Sequence, residues 1–360
     1  MTKIRVGIIF GGRSAEHEVS LQSAKNIIEA LDKNKYEPVL IGIDKHGGWH
    51  LQDNADFLLN SSDPRLIALN KSNQDLAVTP GQENRLMVVS SKADANIDVV
   101  FPVLHGTYGE DGTMQGLLKL LDIPFVGPSV LGSAVAMDKD VAKRLMRDGG
   151  IPIAEFSVYR KEDNINFSAV IRTLGLPLFV KPANLGSSVG ISKAKNEDEL
   201  KRAVDVAFQF DNKILIEESV EGREIECAVL GNENPMASIP GEVIPHHEFY
   251  SYEAKYIDEN GAALEIPAKL GEQEVKLIQE LAIRTFKTLE LEGMSRVDFF
   301  LKPNGEALVN EVNTIPGFTK ISMFPKLWEA SGISYSDLID RLIQLAIERH
   351  KNEQALKTSA

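Results

Sequence analysis

Residues 295–314 read SRVDFFLKPNGEALVNEVNT. The stretch contains two runs typical of β-strands, at 296–301 and 306–313, joined by Lys-Pro-Asn-Gly at 302–305. Asn-Gly adopts the positive φ angles that tight hairpin turns require, so it is a strong signal for a two-residue loop at 304–305. The sequence therefore predicts a β-hairpin here, and the facing residues can be counted outward from the turn.

The predicted register gathers four polar side chains on one face of the hairpin. Asp298 lies opposite Glu311 and Arg296 lies opposite Asn313, and residues two apart along a strand share a face. A four-residue loop keeps this shared face, whereas a three-residue loop would split it. Two carboxylates and an amide oxygen are ligands that Mg²⁺ prefers, and the guanidinium beside them is suited to an anion.

Solvent exposure is the alternative interpretation of these carboxylates, because Asp and Glu on a hairpin are usually surface charges. The interleaved residues Val297, Phe299, Val309 and Val312 favour burial of at least one face. Buried carboxylates that face each other without a cation repel and resist ionisation. A bound metal resolves this conflict, so the hairpin indicates metal–phosphate chemistry without identifying a substrate.

The composition narrows the class of protein. A chain of 360 residues with 43% hydrophobic residues is long enough for two or three domains. The net charge of −13 and the pI near 5.1 argue against nucleic acid or an acidic membrane as the main partner. Cys227 is the only cysteine, so no disulfide is expected. No apolar run approaches the roughly 20 residues of a membrane span, and the first residues do not resemble a signal peptide. We therefore expect a cytoplasmic enzyme.

The first part of the chain has the pattern of an α/β domain. Two strand-like runs with a helical pattern between them, within residues 4–43, predict a β-α-β unit with a parallel sheet. Two glycine-rich loops, at 11–18 and 105–112, follow strands of this sheet, where ligands of such folds bind. Glu16 and His105 in these loops are candidate ligand contacts, although helix-dipole complementarity and a structural hydrogen bond are equally good explanations. The loop at 11–18 matches neither a dinucleotide-binding motif nor a P-loop motif.

The middle of the chain predicts a phosphate-covering flap and a lid. A helix is expected over 129–147. A strand at 176–181, a small-residue loop at 182–190 and a return strand at 191–194 form a flap whose N–H groups can lie over phosphates, with an ordinary long turn as the alternative. The segment 246–256, HHEFYSYEAKY, is too long and too aromatic for a plain connector, which favours a lid.

Seven stretches carry a family resemblance in their order and spacing. They are GGRSAEHEVSLQSAKN, HGTYGEDGTMQG, MDK, FVKPANLGSSVGISK, EGREIECAVLG, YEAKYIDENGA and SRVDFFL followed by LVNEVNTIPGFT. With these stretches the chain resembles a D-alanine–D-alanine ligase of the ATP-grasp superfamily over nearly its whole length. Each stretch alone is a weak signal, but the set is highly specific.

The resemblance implies an ATP-grasp fold of mixed α/β and α+β type. It implies a Rossmann-like amino-terminal domain at 1–127, a central ATP-grasp domain at 128–216 and a carboxyl-terminal ATP-grasp domain with the metal site and lid at 217–360. It also implies the joining of two D-alanines for peptidoglycan precursors, with ATP as co-substrate and two Mg²⁺ or Mn²⁺ ions. The expected assembly is a cytoplasmic homodimer.

The resemblance also implies a set of site residues. ATP is expected to contact Lys139, Lys181, Ser188, Glu217, Glu218, Val220, Glu224 and Lys255. The metal ligands are expected to be Asp298, Glu311 and Asn313. The residues expected to bind the amino acids or to take part in their reaction are Glu16, His105, Ser187, Tyr256, Arg296, Gly317 and Ser322. In this set Glu16 holds the first ammonium group and is tied through Ser187 to Tyr256 on the lid.

Three alternative functions differ from this one in specific features. A D-alanine–D-lactate ligase would lack the lid sequence Glu-Ala-Lys-Tyr at 253–256 or replace its tyrosine. A different ATP-grasp carboxylate–amine ligase would lack the Ser-Ala-Glu loop at 14–16. A non-catalytic nucleotide-binding regulator would not require the intact polar set on the hairpin. The presence of this set argues against it; its members are Arg296, Asp298, Glu311 and Asn313.

Overall fold

The computed structural model describes residues 2–52, 57–60, 63, 66–70, 74–78, 85–88, 94–245 and 262–357. The strands in these ranges are β1 (Ile4–Gly11), β2 (Tyr36–Ile43), β3 (Trp49–Gln52), β4 (Leu58–Leu59), β5 (Ala68–Leu69), β6 (Leu76–Val78), β7 (Arg85–Val88), β8 (Asp94–Asn96), β9 (Val99–Val103), β10 (Phe156–Arg160), β11 (Leu178–Pro182), β12 (Ser192–Ala194), β13 (Lys213–Glu218), β14 (Arg223–Gly231), β15 (Met236–Ala237), β16 (Gly241–Pro245), β17 (Ala262–Glu265), β18 (Gly293–Leu301) and β19 (Ala307–Asn313). The helices are α1 (His17–Ala30), α2 (Thr113–Leu120), α3 (Val130–Met137), α4 (Lys139–Asp148), α5 (Phe167–Leu174), α6 (Glu197–Ala207), α7 (Glu272–Thr288), α8 (Met323–Ala330) and α9 (Tyr335–Gln354). None of these helices is both long enough and apolar enough to cross a membrane.

The amino-terminal sheet has the order β3-β2-β1-β9. Strand β1 pairs in parallel with β2, from Ile4 opposite Tyr36 to Gly11 opposite Ile43, and in parallel with β9. The predicted β-α-β unit is therefore confirmed. Because β1 and β9 run in the same direction, the two glycine-rich loops that follow them lie at the same edge of the sheet.

One hydrophobic core joins the amino-terminal sheet to the end of the chain. Phe10 and Phe101 from this sheet belong to the same buried cluster as Phe318 and Trp328. The rings of Phe101 and Phe318 meet edge to face at 5.7 Å between centroids, an arrangement favourable for aromatic pairs. This shared core places the amino-terminal loops against the segment that follows the predicted hairpin.

The central sheet has the order β10-β13-β11-β12, with antiparallel pairing throughout. Its core includes Leu178 and Val180 of β11 and Leu200 and Val204 of α6. Strands β11 and β12 pair antiparallel, as the flap interpretation predicts, and the loop between them is the flap loop. A separate six-stranded sheet, in the order β17-β16-β14-β18-β19 with β15 on β14, follows along the chain and packs against α7.

The hairpin of β18 and β19 has a three-residue loop, so the predicted two-residue loop is wrong. The N–H of Lys302 donates to the carbonyl of Glu306, and the N–H of Gly305 donates to the carbonyl of Lys302, both at 2.9 Å. Gly305 has φ of 83°, a conformation that glycine adopts without a steric cost. Beyond this loop the register places Leu301 opposite Ala307.

A bulge in β19 restores the predicted pairing of the polar residues. Phe299 faces Val309 whereas Asp298 faces Glu311, which makes Asn310 the extra residue. The shift of one residue brings Asp298 opposite Glu311 and Arg296 opposite Asn313. The predicted facing pairs are therefore confirmed, although the loop from which they were counted is longer than expected.

Two helices replace the single helix predicted over 129–147. Helix α3 ends at Met137 and α4 begins at Lys139, because the backbone of Asp138 is extended at φ −84° and ψ 101°. The Asp138 carboxylate accepts the N–H of Val141 at 3.1 Å, so it caps α4. Lys213 on β13 donates to both oxygens of Asp138, at 2.7 and 2.6 Å. The break directs the start of α4 toward β11, where the Lys139 N–H donates to the carbonyl of Ala183 at 3.0 Å.

A buried arginine ties the last helix to the amino-terminal half of the chain. Arg349 on α9 is 7% exposed and donates to the carbonyls of Gly127 at 2.6 Å and Phe125 at 2.8 Å. Its guanidinium also lies 4.5 Å from the centroid of the Phe125 ring. Both carbonyls would lose a charged donor if this side chain were removed.

Arg349→Met is expected to lower the free energy of unfolding by about 2–4 kcal/mol, because buried carbonyls lose charge-assisted hydrogen bonds. Urea denaturation followed by circular dichroism measures this change. Arg341→Met on the exposed side of the same helix is the control, with an expected change below about 0.5 kcal/mol. Equal free energies of unfolding for the two variants would show that the contacts of Arg349 do not stabilise the fold.

Candidate active site

Residues from the ends and loops of the three large sheets line one cavity of about 290 Å³. Every predicted site residue that the structure describes, except His105, lies in its wall. These residues are Glu16, Lys139, Lys181, Ser187, Ser188, Glu217, Glu218, Val220, Glu224, Arg296, Asp298, Glu311, Asn313, Gly317 and Ser322. Lys255, Tyr256 and the rest of the predicted lid lie outside the described residues.

The hairpin face carries a network of ion pairs. Arg296 donates through Nε and Nη2 to the two oxygens of Asp298, each at 2.7 Å. Its Nε also lies 2.8 Å from Oε2 of Glu226 on β14. Asn313 donates through Nδ2 to Asp298 Oδ2 at 2.9 Å. Since Glu226 is opposite Asp298 and Asp298 is opposite Glu311, three adjacent strands contribute a row of carboxylates.

The donors on this face fit a divalent cation that also binds a phosphate ligand. Asp298 and Glu311 supply carboxylates and Asn313 supplies an amide oxygen, all of them hard ligands. Within the described ranges, no group of three or more His, Cys, Asp or Glu side chains is arranged to hold a metal ion. Mg²⁺ is usually bound through one or two carboxylates together with substrate phosphates, rather than in an all-protein cage. The number and kind of ions stay a prediction.

Two lysines reach the cavity from different elements. Lys139 at the start of α4 donates to the carbonyl of Leu185 in the flap loop at 2.5 Å. Lys181 on β11 lies 3.3 Å from both Glu217 Oε1 and Asn310 Oδ1. Asn310 is the bulged residue of the hairpin, so the bulge also provides a contact for Lys181. Two cations are thus placed near the carboxylate row, as binding of a polyphosphate requires.

The flap loop is linked directly to the amino-terminal domain. Ser187 donates through Oγ to Glu16 Oε1 at 2.6 Å. Ser187 and Ser188 have φ of 52° and 60°, a region that non-glycine residues seldom occupy. Two consecutive residues of this kind give the loop a sharp reversal and hold Ser187 toward Glu16. The predicted contact between Glu16 and Ser187 is present, and its continuation to Tyr256 lies outside the described residues.

Glu110 is a cavity residue that the sequence analysis missed. Its carboxylate accepts the N–H of Gly106 at 2.6 Å and the N–H of Ile315 at 3.0 Å. Burial and the charge of Glu16 raise the pKa of Glu110 to about 8, although the two N–H groups and Arg296 act in the opposite direction. Glu110 thus bridges the second glycine-rich loop and the segment after the hairpin. Its position in the sequence, five residues after His105, did not predict its hydrogen bonds to Gly106 and Ile315.

His105 supports the same segment from behind the cavity wall. Its Nδ1 donates to the carbonyl of Ile315 at 2.9 Å, and its Nε2 lies 3.4 Å from Ser23 Oγ. Ser23 Oγ in turn accepts the N–H of Phe318 at 3.2 Å. Burial lowers the pKa of His105, which favours the neutral ring that this network needs. The structure therefore gives His105 a positioning role, and its contact with a substrate stays a prediction.

Gly317 and Ser322, the residues predicted to contact the oxyanion and the carboxylate of the second amino acid, lie next to each other. A Cβ atom added to Gly317 would approach Ser322 Oγ to 2.8 Å, so a side chain there would displace this hydroxyl. Ser322 Oγ accepts the N–H of Thr319 at 3.0 Å and lies 2.8 Å from Thr319 Oγ1. The Gly317 backbone and the Ser322 hydroxyl therefore form one small polar end of the cavity.

Comparison with known proteins identifies the family. A family profile described as D-ala D-ala ligase N-terminus matches residues 5–128, and one described as D-ala D-ala ligase C-terminus matches residues 145–344. The chain belongs to the D-alanine–D-alanine ligase family. The D-alanine–D-alanine ligase of Oceanobacillus iheyensis is 57% identical over 361 residues and covers 99% of both chains. D-alanine–D-alanine ligase A of Escherichia coli K12 is 53% identical over 363 residues and covers 100% of both.

Solved structures of the family have the same fold. The D-alanine–D-alanine ligase from Coxiella burnetii has a TM-score of 0.87 and 41% identity, and the match covers 98% of this chain and 97% of that one. The VanG D-Ala:D-Ser ligase from Enterococcus faecalis has a TM-score of 0.84 and 36% identity, over 96% and 100% of the two chains. The ATP-grasp fold expected from the sequence is thereby confirmed.

Glu110→Gln is expected to change how stability depends on pH. In the folded chain the pKa of Glu110 is raised to about 8, whereas a glutamate in water has an ordinary pKa of 4.5. The folded state therefore binds more protons between these values, and stability falls as pH rises through this window. The variant lacks this titration, so its free energy of unfolding relative to the unmodified chain should rise by about 3–4 kcal/mol from pH 5 to pH 8.

Urea denaturation at several pH values measures this difference. Glu162→Gln, at an exposed position, serves as the control and should keep a constant difference from the unmodified chain. A Glu110→Gln curve parallel to that of the unmodified chain would show that Glu110 is ionised in the folded state across the window.

Proposed function

We propose that this ligase joins two D-alanines at the cavity through an acyl phosphate, with ATP converted to ADP and phosphate. The product serves peptidoglycan precursor synthesis, and we expect a cytoplasmic homodimer with domains at 1–127, 128–216 and 217–360. The main support is that the carboxylate row, Lys139, Lys181 and Glu16 all line one cavity. A reaction between a carboxylate and a nucleotide phosphate needs cations of this kind beside both anions.

The nucleotide is assigned to the side of the cavity formed by α4, the flap and β13. Lys139, Lys181 and Ser188 face the phosphates, and the lid lysine Lys255 completes this set. The residues placed beside the adenine and ribose are Glu217, Glu218, Val220 and Glu224. Support comes from the contact of Lys139 with the flap loop and from the position of Lys181 between Glu217 and the hairpin.

Asp298, Glu311 and Asn313 would hold the Mg²⁺ or Mn²⁺ ions, of which we expect two. When bound, these ions neutralise phosphate charge and orient the transferred group. Arg296 lies on the same face, so its guanidinium stabilises negative charge on the acyl phosphate and then on the tetrahedral oxyanion. The backbone N–H of Gly317 is the second donor assigned to that oxyanion.

The amino acids are assigned to the end of the cavity nearest the amino-terminal domain. The Glu16 carboxylate binds the ammonium group of the first D-alanine, and Ser187 fixes its orientation through the 2.6 Å hydrogen bond. Ser322 binds the carboxylate of the second D-alanine. The lid, with Tyr256, closes over the site and excludes water, which would otherwise hydrolyse the acyl phosphate.

ADP release coupled to NADH oxidation tests the substrate assignment. We expect turnover with D-alanine alone and less than about one hundredth of that rate with L-alanine, because the ammonium and carboxylate contacts fix one configuration. D-Lactate and D-serine are then added separately beside D-alanine, and mass spectrometry identifies the product. Turnover that does not depend on D-alanine would contradict the proposal, and a depsipeptide as main product would favour the D-alanine–D-lactate alternative.

Glu311→Gln is expected to reduce kcat at least about a hundredfold, because an anionic ligand of the metal–nucleotide complex is lost. The free energy of unfolding should stay within about 0.5 kcal/mol of that of the unmodified chain, since the side chain is only half-buried. Glu306→Gln on the same hairpin removes an exposed carboxylate that pairs with Lys302. This control should keep full activity, and an equal loss in both variants would refute the assignment of Glu311.

A further inference from the structure

Lys143 is a buried lysine in the cavity wall that has no part in the reaction proposed above. It lies on α4, one turn after Lys139, and its side chain is 2% exposed. Its Nζ is 3.3 Å from Oε1 of Glu217, whose side chain is also 2% exposed. The ammonium lies 5.6 Å from the centroid of the Phe156 ring. A lysine buried to this extent is rare unless its charge is compensated.

The two oxygens of Glu217 differ in their surroundings. Both Lys143 and Lys181 approach Oε1, each at 3.3 Å. Oε2 has no hydrogen-bond partner in the part of the chain that the structure describes, and Glu217 lines the cavity. A buried acceptor in this state is costly unless a ligand donates to it. The geometry therefore suits a ligand N–H group at Oε2.

An ionised Glu217 depends on the nearby lysines. Burial alone raises the pKa of Glu217, but the charges of Lys143 and Lys181 outweigh this effect and lower it. Lys181 divides its contacts between Glu217 and Asn310 and is more exposed, at 13%. Burial likewise lowers the pKa of Lys143, and the charge of Glu217 acts against this effect, so each group depends on the other for its charge. Among the lysines in the described ranges, Lys143 is therefore the fully enclosed partner of this carboxylate.

We propose that Lys143 is a positioning residue that holds Glu217 ionised with Oε2 as an acceptor, and thereby selects purines with a 6-amino group over 6-oxo purines. The proposal rests on the placement of the purine beside Glu217 in the proposed function. A carboxylate accepts a hydrogen bond from an amino group but repels a carbonyl oxygen, so the sign of this selection follows from charge. Lys143 acts through Glu217 and does not itself touch the base.

The ratio of kcat/KM for ATP to kcat/KM for ITP measures this selection. Lys143→Met should lower the ratio by about tenfold or more, mainly through a higher KM for ATP, with little change in the KM for D-alanine. Lys143→Arg keeps the charge and should restore most of the ratio. Arg147→Met is the matched control, because Arg147 lies on the same helix 5.9 Å from the same Phe156 ring but is exposed. It should keep the unmodified ratio.

A double-variant cycle tests whether Lys143 acts through Glu217. Glu217→Gln presents an amide N–H that can donate to a 6-oxo group, so this variant should also lose preference for ATP. Lys143→Met in the Glu217→Gln background should cause no further loss. A further loss of similar size would overturn the proposal, as would an unchanged ratio in folded Lys143→Met.

Folding of the variants is checked by circular dichroism. If Lys143→Met does not fold, the double variant decides, because it removes both charges of the buried Lys143–Glu217 pair together. The proposal then requires that the double variant folds and selects ATP as well as Glu217→Gln does, and any other result contradicts it. Absence of D-alanine-dependent ADP release in the unmodified chain would instead refute the proposed function, so the two failures are distinguishable.

Discussion

Repulsion between carboxylates on adjacent strands is the constraint on which the site depends. Glu226, Asp298 and Glu311 lie in one row across β14, β18 and β19. Three such groups in a partly buried position remain ionised only if cations lie among them. Arg296 supplies one positive charge by contacting Asp298 and Glu226. The remaining negative charge suits the cation of a metal–nucleotide complex. Compensation of the carboxylates in the sheet therefore agrees with the ATP dependence of the family.

The amino-terminal loops position the segment that follows the hairpin. Glu110 accepts the N–H of Ile315, His105 donates to the carbonyl of the same residue, and Ser23 accepts the N–H of Phe318. These contacts cross between distant parts of the chain, and the shared hydrophobic core beneath them fixes the distance. The backbone around Gly317 is therefore held by residues from the amino-terminal part of the chain, and this rigidity favours the oxyanion role proposed for its N–H group.

Local patterns predicted the strands and the β-α-β unit, because alternation is read from neighbouring residues. The facing pairs of the hairpin were counted from a two-residue loop that the structure does not have, and they are right because the bulge at Asn310 offsets the longer loop. Local patterns did not predict this bulge, since a bulge depends on packing across the sheet. Asp138 carried a readable signal, because aspartate favours helix N-caps. Glu226 could have been found from its spacing of two residues from Glu224 on β14. Glu110 and Lys143 acquire their properties only from partners far along the chain.

The loop and the bulge of the hairpin are two departures from regular pairing that compensate each other. A regular ladder continued from the three-residue loop would place Asn310 opposite Asp298 and turn Glu311 to the far side of the sheet. The extra residue in β19 reverses that shift, so the side on which Glu311 lies is decided at Asn310 and not at the turn. A turn of different length therefore leaves Asp298 opposite Glu311 as long as the strand pairs and the bulge are kept.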